Sequence, residues 1–248
     1  MTAYTVFPNA PITEALLDIR VQLPPEIDLD KLKTFHEPIK NRFPVKEERI
    51  SFEAGFQISP KTEPIVLPST KKPDGYFFRS HTENKVVQAR LDGFTFNKLK
   101  PYTNWGTFSS EALELWKLYL EIAKPIKIIR IALRYINKIE IPIPMNEFKD
   151  YILTVPEIAP NIPQALAHFF MQLVIPNPEI GATAVISQTI EPITPNQRVP
   201  LIFDIDVFKD AVYVDNKDEI WLDFENLRKF KNDIFFNSTT DRAKELFK

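Results

Sequence analysis

The chain has 248 residues, a formal net charge of −2 and no cysteine. A charge this close to zero provides no global basic field for nucleic acid or anionic lipid. The absence of cysteine excludes disulfides, thiolate metal ligands and a cysteine nucleophile. The five glycines are scattered singly, which excludes the glycine-rich loops that bind nucleotide phosphates.

The N-terminal residues contain no basic segment followed by an apolar one, so no signal peptide is predicted. No apolar run is long enough to cross a membrane, because the richest stretch, 126–143, is interrupted by charged residues. We therefore expect a soluble cytoplasmic protein with no membrane association.

The first half of the chain alternates between strand and helix patterns. Residues 24–43 have helical spacing, with Asp28 or Asp30 as the cap and a kink or early end expected at Pro38. A second helix is predicted at 109–123, capped by serine. Strands are predicted at 14–23, 50–59, 76–81 and 85–96, the last two forming a hairpin.

The second half opens with a long alternating strand at 126–141, which we expect to bend or to contain a β-bulge. A short helix follows near 145–153, and a final helix is predicted at 218–235. On that last helix the basic run containing Arg228, Lys229 and Lys231 is interpreted as an exposed face. Further strands are predicted at 168–175, 182–191 and 199–208.

Both halves therefore follow the order strand, helix, three or four strands, helix. This order predicts an α+β fold with antiparallel sheets and helices on one face of each sheet, built from similar halves 1–124 and 125–248. The best internal match aligns residues 16–32 with 132–148. The alternative is one continuous, irregular α+β domain.

Charged side chains alternate with apolar ones along several predicted strands. If the helices cover the apolar side, the opposite side collects five cations and several carboxylates, among them Asp204 and Asp206. The five cations, our candidate ligand-binding residues, are Arg20, Arg90, Arg130, Arg134 and Lys138.

Two interpretations of this charged face stay open. Opposite charges on neighbouring strands can form cross-strand pairs that only solubilise the sheet. Alternatively, the arginines bind phosphate or carboxylate in a cleft, and Asp204 with Asp206 holds a hard cation such as Mg²⁺. Asn137 falls on the apolar side of its strand, where we expect it to anchor hydrogen bonds.

Three stretches carry a family resemblance: "NAPITEALLDIRV", "RIALRYINKIEIP" and "LRKFKNDIFFNSTTDRAKELF". Through them the chain resembles, from end to end, a sporadically distributed prokaryotic family of about this length, most recognisably at Arg134, Tyr135, Asn137 and 235–240. Members often have Leu-His where this chain has Leu227 and Arg228, so a role for that histidine does not transfer. The family implies no activity, but its patchy distribution is typical of an accessory gene, such as a defence or toxin–antitoxin component.

The sequence contains no nucleophile elbow, metal-ligand cluster or phosphate loop. We therefore predict a non-enzymatic binding protein that acts through a protein partner or by self-association. Two alternatives remain: a metal-assisted enzyme or binder for a phosphate-containing ligand, and a nucleic-acid-binding protein that uses the cationic strand positions.

Overall fold

The computed structural model describes residues 4–53, 56–59, 62–66, 70–164, 166–214 and 219–248. The helices are α1 Leu29–Lys33, α2 His36–Ile39, α3 Trp105–Ala123, α4 Glu219–Ser238 and α5 Asp241–Glu245. The strands are β1 Ile12–Gln22, β2 Val45–Glu53, β3 Phe56–Ser59, β4 Thr62–Val66, β5 Thr70–Arg79, β6 Lys85–Arg90, β7 Gly93–Leu99, β8 Lys127–Pro142, β9 Phe170–Asn177, β10 Ala182–Ile190 and β11 Arg198–Tyr213.

The protein is a mixed α+β structure built on one large antiparallel sheet. Within the described residues this sheet has nine strands in the order β2-β5-β6-β7-β1-β8-β11-β10-β9, and β3 pairs separately with β4. The opening strands of the two predicted halves, β1 and β8, lie side by side at its centre. From each of them the chain moves to one edge of the sheet and returns strand by strand to the centre.

The long strand predicted at 126–141 is present as β8. Its odd-numbered residues Ile131, Leu133 and Tyr135 are buried, whereas Arg134 between them is exposed, as the two-residue period of a strand requires. The expected bulge is also present. Arg20 pairs with Arg130 but Val21 pairs with Ile128, so Ile129 is an extra residue next to Arg130.

Aromatic contacts attach the helices to the apolar side chains of the sheet. The Trp116 ring of α3 lies 5.7 Å from Phe94 of β7, and the Phe235 ring of α4 stacks on Phe203 of β11 at 6.2 Å. Near α1, Phe35 contacts Phe78 of β5 at 5.4 Å between ring centroids. None of the helices within the described ranges has the length and hydropathy of a membrane-spanning helix.

The helix boundaries differ from the prediction in several places. The short helix predicted near 145–153 is a three-residue 3-10 helix at Phe148–Asp150, and α4 ends at Ser238 rather than at residue 235. The segment 24–43 forms two short helices instead of one, with Asp28 capping α1. The α3 helix begins four residues before the predicted serine cap, because the Asn104 side chain accepts a hydrogen bond from the backbone N–H of Thr107. The start predicted for α4, residue 218, lies outside the described residues.

Two strand predictions also change. Residues 85–96 form β6 and β7, joined by a turn at Leu91 and Asp92, rather than one strand. The predicted strand 50–59 corresponds to the end of β2 and to β3, and residues 54 and 55 between them lie outside the described residues.

We expect Gly93→Ala to destabilise the protein by about 2–3 kcal/mol, because a Cβ at this position would overlap the carbonyl oxygen of Ile19 in the neighbouring strand. The matched control is Gly106→Ala in the first turn of α3. Its added Cβ would meet only Asn104 Oδ1 at 3.4 Å, and alanine has the higher helix propensity. Urea unfolding followed by circular dichroism should separate the two variants; equal stabilities would contradict the close strand approach at Gly93.

Candidate functional site

The predicted ligand-binding cations lie on one face of the large sheet. Arg20 of β1 is opposite Arg130 of β8, and Arg134 of β8 is opposite Asp206 of β11. Four of them, Arg20, Arg90, Arg130 and Arg134, line an open pocket of about 640 Å³ together with acidic residues, whereas Lys138 does not line it. We call this pocket the charged-face pocket; its charged lining residues are Asp18, Arg20, Arg90, Asp92, Arg130, Arg134, Asp206 and Asp210.

Arg90 is the most deeply buried of these cations and is only 3% exposed. Its guanidinium donates hydrogen bonds to Asp18 at 2.8 Å, to Asp92 at 2.9 Å and to the Thr95 hydroxyl at 2.6 Å. Burial by itself would raise the pKa of Asp18. The charges of Arg90 and Arg20 and the Thr95 hydroxyl outweigh burial and hold that pKa below its usual value. Asp18 and Arg90 therefore form the buried centre of an ionic network.

Three of the other predicted cations are hydrogen-bonded to carboxylates. Arg20 donates to Asp18 and to Asp92. Arg134 donates to Asp204 through Nε at 3.0 Å and Nη2 at 2.6 Å, and Lys138 lies 2.7 Å from Glu191. The pairing of Arg134 with Asp204 joins the neighbouring strands β8 and β11, as the cross-strand interpretation requires, whereas Arg20 pairs with Asp18 within β1.

Arg130 is held more loosely than the other four. Its nitrogens lie 3.7 Å from Asp18, 3.9 Å from Asp206 and 3.8 Å from Asp210, and its guanidinium stacks 4.4 Å above the Phe208 ring. Burial raises the pKa of Asp206, although the charges of Arg130 and Arg134 oppose this shift. Arg130 and Asp206 are therefore the groups of this pocket with most capacity for a ligand.

The two predicted metal ligands are in different situations. Asp204 accepts hydrogen bonds from the Arg134 guanidinium. Asp206 is paired with Arg134 in the strand register, but the ion-pair distance of its carboxylate is to Arg130, at 3.9 Å. Across the described residues no group of three or more His, Asp or Glu side chains is arranged to hold a metal ion.

A second, larger cavity of about 870 Å³ lies on the opposite side of β8. Tyr135 and Asn137 of β8 form its floor, α4 forms one wall, and residues 4–12 and 102–105 form the others. We call it the aromatic cavity; the rings that line it are Tyr4, Phe7, Tyr102, Trp105, Tyr135, Phe235 and Phe236.

Lys231 lies in the aromatic cavity with 8% exposure, and its Nζ is 3.8 Å from the centre of the Tyr135 ring. In the described part of the chain, no carboxylate lies within ion-pair distance of this amine. Burial, with a smaller contribution from the charge of Arg228, lowers the pKa of Lys231 to about 7. The neighbouring Asn232 is 9% exposed, and its side chain also has no hydrogen-bond partner among the described residues.

Several other polar groups of the aromatic cavity have hydrogen-bond partners. The hydroxyls of Tyr102 and Tyr135 are 3.1 Å apart, and Asn137 donates to the Phe203 carbonyl at 3.0 Å. Glu225 accepts hydrogen bonds from Trp105 Nε1 and from Arg228. Among the buried polar side chains of the cavity, Lys231 and Asn232 are therefore the ones without a hydrogen-bond partner in the described residues.

The expected exposure of Lys231 was wrong, although a signal for its burial exists in the sequence. The buried residues of α4 include Ile220, Phe224, Leu227, Lys231 and Phe235, which recur every three or four positions. Lys231 continues this stripe, but the neighbouring Arg228 and Lys229 make the segment resemble a solvated face. The expected structural role of Asn137 is confirmed by its hydrogen bonds.

Comparison with known proteins yields no functional assignment. No protein-family model matches the chain, and no curated protein has significant sequence similarity to it. The resemblance to a prokaryotic family stays a prediction from its motifs.

Removing the buried guanidinium should cost far more stability than removing an exposed one. We expect Arg90→Met to lower the free energy of unfolding by about 3–5 kcal/mol, because Asp18 would remain buried without its main partner. The control Arg134→Met removes a guanidinium whose side chain is 45% exposed and should cost less than about 1 kcal/mol. Urea unfolding at neutral pH measures both; similar losses would contradict the central role of the buried pair.

Replacing the buried amine should stabilise the protein in a pH-dependent way. The pKa of Lys231 is lower in the folded state than in the unfolded state, so protonation of this amine favours unfolding. The resulting loss of stability is fully present below about pH 7. It disappears as the pH rises toward the ordinary pKa of lysine. Lys231→Met should therefore exceed the wild type in stability by about 3 kcal/mol below pH 7, with the difference shrinking above it. Thermal and urea unfolding across this pH range measure the difference in stability between Lys231→Met and the wild type, with the exposed Lys117→Met as the control. A difference that does not change with pH would show that Lys231 is solvated.

Proposed function

We propose that the protein is a non-enzymatic binding protein and that its aromatic cavity binds a small organic molecule. The carrying observation is the pair Lys231 and Asn232, adjacent in sequence, at most 9% exposed and without a hydrogen-bond partner in the described residues, in a cavity lined by aromatic rings. Cavities of a few hundred to about 1,000 Å³ with few polar groups are typical of small-molecule sites.

The energetics of the buried polar groups support this proposal. Full removal of an amine or an amide from water without a replacement hydrogen bond costs about 1–3 kcal/mol or more, and the low exposure of Lys231 and Asn232 imposes part of this cost. Contact with the Tyr135 ring offsets part of this cost for Lys231, because a cation above an aromatic face is stabilised. A ligand that carries a hydrogen-bond acceptor would recover the remainder on binding.

The protonation states of the lining tyrosines favour binding over acid–base catalysis. Burial raises the pKa of Tyr102 to about 12 and raises that of Tyr135 well above its usual value. Both hydroxyls therefore stay protonated near neutral pH and act as hydrogen-bonding groups rather than as bases.

The mirrored strand order supports the proposed duplication of residues 1–124 and 125–248. In the alignment of 16–32 with 132–148, Leu17 corresponds to Leu133, and these two residues pair directly across β1 and β8. A two-fold axis that relates the two halves would pass through the Leu17–Leu133 pair. We further propose that the helices cover only the apolar face of each half, in accordance with the aromatic contacts of α3 and α4.

The loose pairing of Arg130 favours a second candidate function. A phosphate-containing ligand could displace the long contacts of this guanidinium to Asp18, Asp206 and Asp210. The surrounding carboxylates oppose an anion, so we rank this site below the aromatic cavity. Participation in a defence or toxin–antitoxin system remains a proposal that rests on the family resemblance.

The proposal is tested with three probes that share one aromatic body: 2-naphthylacetate, 2-naphthylacetamide and 2-(2-naphthyl)ethanol. We expect at least one of them to bind the wild type in a one-to-one ratio in calorimetry, and to quench the fluorescence of Trp105. Ala10→Trp should weaken this binding by about tenfold or more, because Ala10 lines the cavity and the indole would occupy it.

The control is Ala159→Trp at an exposed loop position. Circular dichroism and thermal unfolding verify that both variants fold, and Ala10→Leu serves as a smaller obstruction if Ala10→Trp does not. Absence of binding by all three probes, or undiminished binding to the folded Ala10 variant, would overturn the proposal.

A further inference from the structure

We propose that the aromatic cavity is selective for an aromatic carboxylate, with the carboxylate bound by Lys231 and Asn232 and the ring between the aromatic walls. This inference rests on the proposed function and adds the chemical class of the ligand. Separate features of the cavity support three parts of the inference: the end that binds the acid, the charge of the ligand and the shape of the ligand body.

The acid-binding end is formed by two consecutive residues of α4. Lys231 and Asn232 are both at most 9% exposed, and within the described chain neither side chain has a hydrogen-bond partner. An ammonium offers three N–H donors and an amide offers two, whereas a carboxylate offers only acceptors. A charge-assisted bond from a desolvated amine to a carboxylate is stronger than a bond between neutral groups.

The balance of charge in the lining fits a monoanion. Three basic side chains, Arg228, Lys229 and Lys231, and two acidic ones, Glu225 and Asp233, line the cavity. Arg228 donates to Glu225 at 2.8 Å, and Asp233 accepts from the Tyr4 hydroxyl at 2.6 Å. With Lys231 protonated the lining has one net positive charge, which a carboxylate neutralises and a phosphate dianion exceeds.

Aromatic rings define the space for the body of the ligand. Tyr102 meets Tyr135 edge to face at 5.5 Å, and Phe235 meets Phe236 edge to face at 5.4 Å. Trp105 lies on the Tyr102 side, and Phe7 stacks near Phe236 at 6.0 Å. Rings at these angles present both faces and edges, so a flat aromatic body can stack and make edge contacts together.

Binding of a carboxylate is coupled to the protonation of Lys231. The titratable groups that line the cavity with this amine are Tyr135 of β8, Tyr102 of the segment after β7, Tyr4 of the N-terminal segment, and Glu225, Arg228, Lys229 and Asp233 of α4. The raised pKa values of the three tyrosines keep them protonated near neutral pH. A bound carboxylate raises the pKa of Lys231, so above about pH 7 the protein should take up a proton with the ligand.

The experiment compares 2-naphthylacetate with 2-naphthylacetamide by calorimetry of the full chain. Titrations in phosphate and in Tris, whose ionisation enthalpies differ, measure the protons taken up per ligand. We expect the acid to bind about tenfold or more tightly than the amide, with uptake approaching one proton at about pH 8 and falling toward zero at about pH 6.

Lys231→Met should remove both the preference for the acid and the proton uptake while still binding the amide, because its side chain keeps the apolar packing. Lys117→Met, at an exposed position of α3, should behave like the wild type. Equal binding of acid and amide without proton uptake would refute the carboxylate inference and leave the binding function standing. Tighter binding of 2-naphthyl phosphate would refute the monoanion class, and failure of every probe would refute the binding function as well.

Discussion

The pairing of β1 with β8 is the interaction on which the rest of the structure depends. Leu17 and Leu133 face each other at the centre of the sheet, and this register decides the side on which every neighbouring side chain lies. A slip by one residue would carry Arg134 into the apolar core and Leu133 into water. The same register brings Asp18 within reach of Arg90 and turns Tyr135 and Asn137 toward the helices. Both pockets are therefore consequences of one strand pairing.

The charged side chains on the two sides of β8 differ in how they are paired. On the charged face most guanidinium groups meet carboxylates at hydrogen-bond distance, so the charges largely neutralise each other and their main effect is structural. On the helical side Lys231 meets an aromatic ring and no carboxylate within the described residues. A satisfied network has little left to offer a ligand. A buried amine without a hydrogen bond is stabilised by any acceptor that reaches it. For this reason we rank the aromatic cavity above the charged-face pocket as a ligand site.

Local patterns were reliable where one period dominated the segment. The alternation in β8 and the bulge that its length suggested are both present, and Asn137 anchors hydrogen bonds on the side where it was expected. Predictions were wrong where two signals competed. The cap of α3 is Asn104 rather than a serine, and Leu91 and Asp92 divide one predicted strand into two. Lys231 was assigned to solvent because its basic neighbours masked the helical stripe to which it belongs.

The sequence by itself determined the α+β character, the apolar and charged sides of the central strands, and the set of cations on the charged side. These properties follow from periodicity, which is encoded in neighbouring residues. Only the tertiary structure decided which carboxylate each guanidinium meets, and that α4 lies against the Tyr135 side of β8. It also brought residues 4–12, 102–105 and α4 together around one amine. Arg134 and Asp204 are 70 positions apart in the chain, and Tyr135 and Lys231 are 96 apart, so no local pattern can specify these contacts.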